Sequence, residues 1–293
     1  MILTAKDCWA AGRKSHNTYF DETVSTLRKK FQTDLTQAVY DFLVQNHATI
    51  RDGNESDFRK LQRAYINIYN SLSDIEKLKV GAAICKIFDY GAFSRKCKKR
   101  WCAYKLCASS NIMTCPYCNL SQEVTIIIGS DGKIRPALDH FFDKARYPLF
   151  AISLGNLIPS CHHCNSTFKG AKDFLVSPHL NPICDNESIK FSLDVDAIDA
   201  RIDIRKLDNA NVKLIYNKKS TKEINSVETF QILQQYQARA SEIRQIVKNM
   251  VTYSSSGKSD PLQREWVLRN ITPGNYRNRI YGKLFLDFSA DYM

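Results

Sequence analysis

The residues best suited to chemistry lie between positions 115 and 170. Cys115 and Cys118 in CPYC, and Cys161 and Cys164 in CHHC, form two C-x-x-C knuckles separated by an insert rich in strand-forming residues. Each knuckle can aim two thiolates at one tetrahedral ion, and four thiolates fill a structural zinc site with no position left for substrate. The alternative is a pair of unrelated dithiols, or a thioredoxin-like redox pair. It carries less weight because the second knuckle opens into a charged segment unlike a redox helix. His162 and His163, inside the second knuckle, are expected to be spare or to face a substrate. A zinc site of this kind predicts a scaffold and no reaction.

Three further segments add reactive groups: LDHFFDKARYP at 138–148, GNLIPSC at 155–161 and CNSTFKG at 164–170. With the knuckles they resemble the signature of HNH (ββα-metal) nucleases, over the stretch from Cys115 to Gly170. That resemblance implies roles for four residues in order. His140 is the general base, Asn156 orients the His140 loop through hydrogen bonds, and Asp139 and Asn165 hold a catalytic Mg²⁺ or Mn²⁺. The residue types suit the work. A histidine's ordinary pKa lies near neutrality, so its neutral form can take a proton from water, and hard oxygen ligands suit those ions. Adjacent side chains on a strand point to opposite faces, so Asp139 and His140 converge on one phosphate only if the strand ends or twists there. Asn165 stands where the signature often has His, and Asp143 where it often has Pro; Asp143 reads as an exposed loop residue ahead of an added carboxylate ligand. Lys144, Arg146, Lys169 and Lys172 are candidate phosphate contacts.

A weaker resemblance extends beyond the core, to bacterial HNH proteins of anti-phage defence, including the nuclease subunits of Septu-type and retron-linked systems. It implies an ATPase partner of the ABC or SMC kind, docked on the N-terminal third or the C-terminal region.

Composition agrees with a nucleic-acid partner, DNA being the expected substrate. The chain has 293 residues, 44% of them hydrophobic, and 42 Lys and Arg against 30 Asp and Glu leave a net charge of +12. Such a balance favours polyanions by Coulomb attraction. No run approaches the roughly 18 apolar residues of a membrane span, and the opening residues lack a signal-peptide pattern, so a cytoplasmic protein without a membrane partner is expected. The six remaining cysteines, Cys8, Cys85, Cys97, Cys102, Cys107 and Cys184, lack knuckle spacing and read as buried or half-buried thiols. Two competing functions share these features: a non-catalytic zinc-binding nucleic-acid module, and a scaffold that only docks an ATPase.

The elements that must position these residues give an α+β fold in three regions: a mainly helical 1–110, a zinc-clamped HNH core over 111–180, and C-terminal strands plus helix over 181–293. Apolar residues recur at helical spacing in Phe20, Val24, Leu27, Phe31, Leu35, Val39 and Phe42, predicting one long helix over 17–46. Phe58 to Leu72 predicts a second helix, and a third follows Asp74 as N-cap, with Leu78, Ala82, Cys85 and Phe88 on its inner face. The segment 95–105, RKCKKRWCAYK, carries six cations and no acid. It reads either as a phosphate-contacting segment or as a solvated helix face. EVTIII, the turn GSDG and KIRPAL predict a hairpin. Near-alternation over 190–216 suits short strands, and a stripe from Phe230 to Val247 predicts a helix over 226–250, ended by the loop YSSSGKSDP.

Overall fold

The computed structural model describes residues 2–129, 131–217, 219–256 and 261–293. Ser130 of the expected hairpin turn and residues 257–260 of the expected loop lie outside these. Seven helices open the chain: α1 (Arg13–Lys30), α2 (Gln37–Gln45), α3 (His47–Asp52), α4 (Glu55–Asn70), α5 (Asp74–Ile87), α6 (Tyr90–Ser94) and α7 (Ala103–Ala108). Three antiparallel two-stranded pairs follow. β1 (Ile126–Ile128) pairs with β2 (Asp131–Ile134), and β3 (Ala137–His140) with β4 (Leu157–Ser160). A π-helix, His163–Lys169, leaves β4 through the second knuckle. β5 (Lys190–Leu193) and β6 (Val212–Ile215) bracket α8 (Ala197–Ile202), and the chain closes with α9 (Thr221–Thr229), α10 (Ile232–Gln237), α11 (Ala240–Ser255), α12 (Pro261–Val267) and α13 (Gly282–Tyr292). The fold is α+β, and no helix among the described residues is long and apolar enough to cross a membrane.

Four local expectations are corrected. The predicted helix over 17–46 is two helices, parted by the short turn Gln32–Asp34 and the extended Thr36. A single helix of that length would span about 45 Å; the break lets α1 pack on α5 and α2 on α4. The N-cap of α5 is Ser73, not Asp74, in a capping box with Glu76. Its buried face is Val80, Ala83, Ile84 and Ile87; Phe88 is buried as expected, whereas Leu78 and Cys85 are exposed. Between β5 and β6 the chain is helical, because Asp196 caps α8 through the Ile198 amide at 2.7 Å and Asp203 caps the next turn through Arg205 at 3.1 Å. Short acidic side chains that satisfy free amides outweigh the alternating pattern there. The predicted helix over 226–250 is broken at Gln231, whose φ of 48° is left-handed.

Both ends of the chain dock on the first knuckle. The Ile2 and Leu3 amides donate to Pro116 O at 3.1 and 3.0 Å, and Tyr281 N donates to Asn119 O at 3.0 Å. Asn119 is itself buried and left-handed, with φ 55°. Its side chain bonds Thr114 and Arg279 O and receives the Lys283 amide, pinning the start of α13. One continuous set of buried apolar side chains, from Ile2 to Tyr292, includes all four knuckle cysteines.

His16 and His179, outside the strand pair of β3 and β4, are buried as neutral rings. His16 bonds Ile152 O at 2.8 Å and His179 stacks on Phe174 at 3.7 Å. Burial lowers the pKa of each to about 4. In the unfolded chain both take a proton near pH 6.5, whereas the folded chain refuses it, so acid favours unfolding. Stability is therefore expected to fall as pH drops from about 6.5 toward 4.5, by up to about 1.4 kcal/mol per pH unit for each ring. Urea unfolding at a series of pH values checks this, and His179→Asn should flatten the slope by about one proton. An unfolding midpoint that holds steady across that window would contradict it.

Candidate metal centre and active site

The four cysteines meet. The ligand atoms of Cys115, Cys118, Cys161 and Cys164 all lie within 4.8 Å of one another, and all four residues are buried. A tetrahedron of thiolates about 2.3 Å from zinc has sulfurs just under 4 Å apart, and Cys118 Sγ and Cys161 Sγ are separated by 4.0 Å. The cluster thus fits a structural zinc ion. Its electrostatics point the same way: burial pushes the Cys115 thiol far up, while the neighbouring thiols, donating to it, hold Cys161 down. Uncompensated, the sulfurs cannot all be thiolates in so apolar a place; a divalent cation resolves the conflict. Backbone geometry prepares the knuckles, with Asn119 N on Cys115 O at 2.7 Å and Cys164 N on Cys161 Sγ at 3.3 Å.

The strand pair extends from this cluster. Register sets Asp139 opposite Ile158 and His140 opposite Leu157, so β3 stays paired through His140. Alternation then sends the two side chains to opposite faces. His140, 6% exposed, places Nε2 2.9 Å from Ala151 O and takes the edge of Tyr90 at 4.3 Å. A carbonyl only accepts, so Nε2 carries the hydrogen and Nδ1 keeps the lone pair. Burial, aided by the charge on Lys144, lowers the ring's pKa to about 3. The ring is neutral at any ordinary pH, which corrects the expectation of a titration near neutrality.

Asn156 is fully buried, and both its amide hydrogens and its amide oxygen are engaged. Oδ1 accepts from Phe142 N at 2.7 Å, and Nδ2 donates to Phe142 O and Phe150 O, both at 3.0 Å. It therefore ties the chain two residues past His140 to the turn that supplies the Ala151 carbonyl.

On the opposite face Asp139 is 1% exposed, and both its oxygens are taken. Tyr117 OH donates to Oδ2 at 2.6 Å, and Lys169 Nζ donates to Oδ1 at 2.8 Å. Lys169, one of the expected phosphate contacts, is 3% exposed. It also donates to His140 O at 2.5 Å and lies 5.0 Å from the centre of the Phe174 ring. Asn165 stands half-buried on the π-helix, its amide 3.5 Å from Ser166, and bonds no Asp139 oxygen. Among the described residues the cysteines are the only group of three or more His, Cys, Asp or Glu side chains close enough to hold an ion. With Tyr117 on one oxygen and the Lys169 ammonium on the other, Asp139 presents no open oxygen for the divalent ion that the resemblance implies.

The other candidates are dispersed. Lys144 is exposed above Tyr90 at 5.5 Å, Arg146 pairs with Asp173 at 3.2 Å, and Lys172 reaches Thr229 at 3.4 Å. Asp143 accepts the Ala145 amide at 3.0 Å, a turn-forming loop role. His162 and His163 are exposed. Sequence reasoning missed Tyr117, Tyr90 and the inward turn of Lys169. Tyr117 sits inside a knuckle, a position that zinc packing buries; the other two carry no local signal.

Two outcomes are expected. Elemental analysis should find about one zinc per chain, lost with the fold in Cys118→Ser or Cys161→Ser; folded protein without zinc would contradict the site. Lys169→Met should destabilise by about 3–5 kcal/mol, since it strands a buried carboxylate. Combining it with Asp139→Asn should recover much of that loss in urea unfolding, whereas simple additivity of the two single effects would show that the ion pair is not coupled.

Compared with protein-family models, with curated proteins and with solved structures, the chain matches none.

Proposed function

We propose that the protein is an HNH-type endonuclease that hydrolyses phosphodiester bonds of nucleic acid, DNA in the first place, with His140 as general base. The observation that supports it best is local: a strand pair and following helix anchored by four cysteines, with His140 at the strand end held as the Nε2–H tautomer and the chain beyond it tied down by Asn156. In this reading Nδ1 takes a proton from a water molecule, the water oxygen bonds to phosphorus, and the bond to the leaving oxygen breaks, that oxygen collecting a proton from solvent. Lys144, close enough to bias the His140 ring, supplies positive charge to the phosphoryl oxygens. Zinc shapes the site and takes no part in the reaction. No step passes through Mg²⁺ or Mn²⁺, since Asp139 is engaged by Lys169.

The same resemblance supports a role in anti-phage defence beside an ABC or SMC ATPase. Exposed apolar side chains of the C-terminal region favour such docking: Ile198 and Ile202 on α8 and Trp266 on α12 are largely exposed.

His140→Gln and His140→Ala should keep their zinc and bind DNA as the parent does, yet lose about two to four orders of magnitude in cleavage rate. Plasmid and RNA cleavage with zinc-replete protein, alone and with an ATPase partner, measures this. Either variant cutting at the parental rate would eliminate His140 as the base.

A further inference from the structure

The charged surface of this protein is uneven. Several cations elsewhere sit against carboxylates: Arg51 on Asp21, Arg59 on Glu55, Lys222 on Asp185 and Arg277 on Glu187. The segment between α6 and α7 is different. Arg95, Lys96, Lys98, Lys99 and Arg100 are exposed, Lys105 is half-buried, and none of the six pairs with a carboxylate among the described residues. Their bonds go to neutral carbonyls: Arg100 to Ala92 O at 2.6 Å and Lys105 to Lys98 O at 3.0 Å. Those bonds orient the cations without reducing their charge. Crowded like charges repel, and only an external anion can relieve that repulsion.

The segment is also supported from beneath. Tyr104 has the Lys96 ammonium 5.9 Å from its ring centre and the Arg135 guanidinium at 5.3 Å. Gly132 of β2 presses against the same ring, where a Cβ would come within 2.2 Å, so no larger residue fits. A cavity of about 300 Å³ remains between segment and hairpin, edged by Lys98, Lys105 and Ile127.

We propose that the segment 95–105, with Arg135, is a docking track for the phosphate backbone of nucleic acid, read without regard to base sequence. Contacts from lysine and arginine to phosphate carry no base information, so the track is blind to sequence. Lys96 and Arg135 lie against the Tyr104 ring, and the Trp101 indole N–H donates to the buried His16 at 3.4 Å. The track leads to the β3–β4 site, because α6 joins it to Tyr90, whose ring meets His140 and carries Lys144 above it. Only that direction rests on His140 being the cutting centre; the binding does not.

The test is fluorescence anisotropy with short labelled DNA duplexes of two unrelated sequences, in EDTA, for the zinc-loaded parent and for K96Q/K98Q/K99Q. The parent should bind both duplexes equally. The variant should bind at least tenfold more weakly near 0.1 M salt, and its slope of log affinity against log salt should be shallower by about 2 to 3, roughly 0.9 for each phosphate contact removed. Should the triple variant lose zinc, K98Q/K99Q, at two exposed positions, carries the same test with a change of about 2. An unchanged slope, a strong preference for one sequence, or tighter parental binding to anionic vesicles or an acidic peptide than to duplex would overturn the track. A parent that binds with this lysine dependence but cuts nothing in parallel cleavage assays supports the track and counts against the nuclease reading alone.

Discussion

Four sulfurs packed within 4.8 Å of one another are the constraint on which the rest of the molecule depends. Thiolates at that spacing repel in an apolar interior unless a cation lies among them, so the cluster demands charge before it can supply order. Once held, it fixes two otherwise unrelated loops against each other. The N-terminal residues, α10 and α13 all bond to the first knuckle: Pro116 O receives Ile2 and Leu3, Cys118 O receives Tyr236 OH at 2.7 Å, and Asn119 anchors Tyr281 and Lys283. Segments from both ends of the chain thereby take their place from one short loop.

The second knuckle transmits the same constraint to the residues around β3. Cys161 directly follows β4, and Cys164 lies in the first turn of the π-helix that carries Asn165 and Lys169. Because the helix start is fixed, Lys169 reaches back across β3 and satisfies three acceptors at once: a carboxylate, a carbonyl and an aromatic face. A lysine so enclosed is a structural counter-charge to Asp139. The opposite face of the same strand holds a neutral imidazole between Tyr90 and a backbone carbonyl. One strand thus separates a buried ion pair from a proton acceptor, and a reaction at His140 would proceed with the ion pair behind it.

Much of this was legible from residue types and spacing. Two C-x-x-C knuckles predict their own meeting, because few arrangements of four thiols in one small core are stable without a shared ion. The β1–β2 hairpin, α4 and the α+β class followed from turn residues and apolar periodicity, which are local properties. Periodicity failed where it ran through a break. Phe31, Leu35 and Val39 keep helical spacing across a turn, and the stripe containing Phe230 and Leu233 crosses the left-handed Gln231, because spacing records which residues face the core and not whether the backbone between them is continuous.

Only the tertiary structure decided what the charged residues do. As a sequence, Asp139 beside His140 reads as a pair aimed at one phosphate, and Lys169 as a surface cation. Strand register divides the pair between two faces, and burial turns Lys169 inward, since a carboxylate removed from water must take the nearest cation. The same holds for the proton: the ordinary pKa of histidine belongs to the side chain, but its fall to about 3 in His140 belongs to the enclosure formed by distant segments. Residue identity sets which groups can carry charge, whereas the packing of segments far apart in the chain sets whether they are paired, solvated or neutral, and that cannot be read from neighbours in sequence.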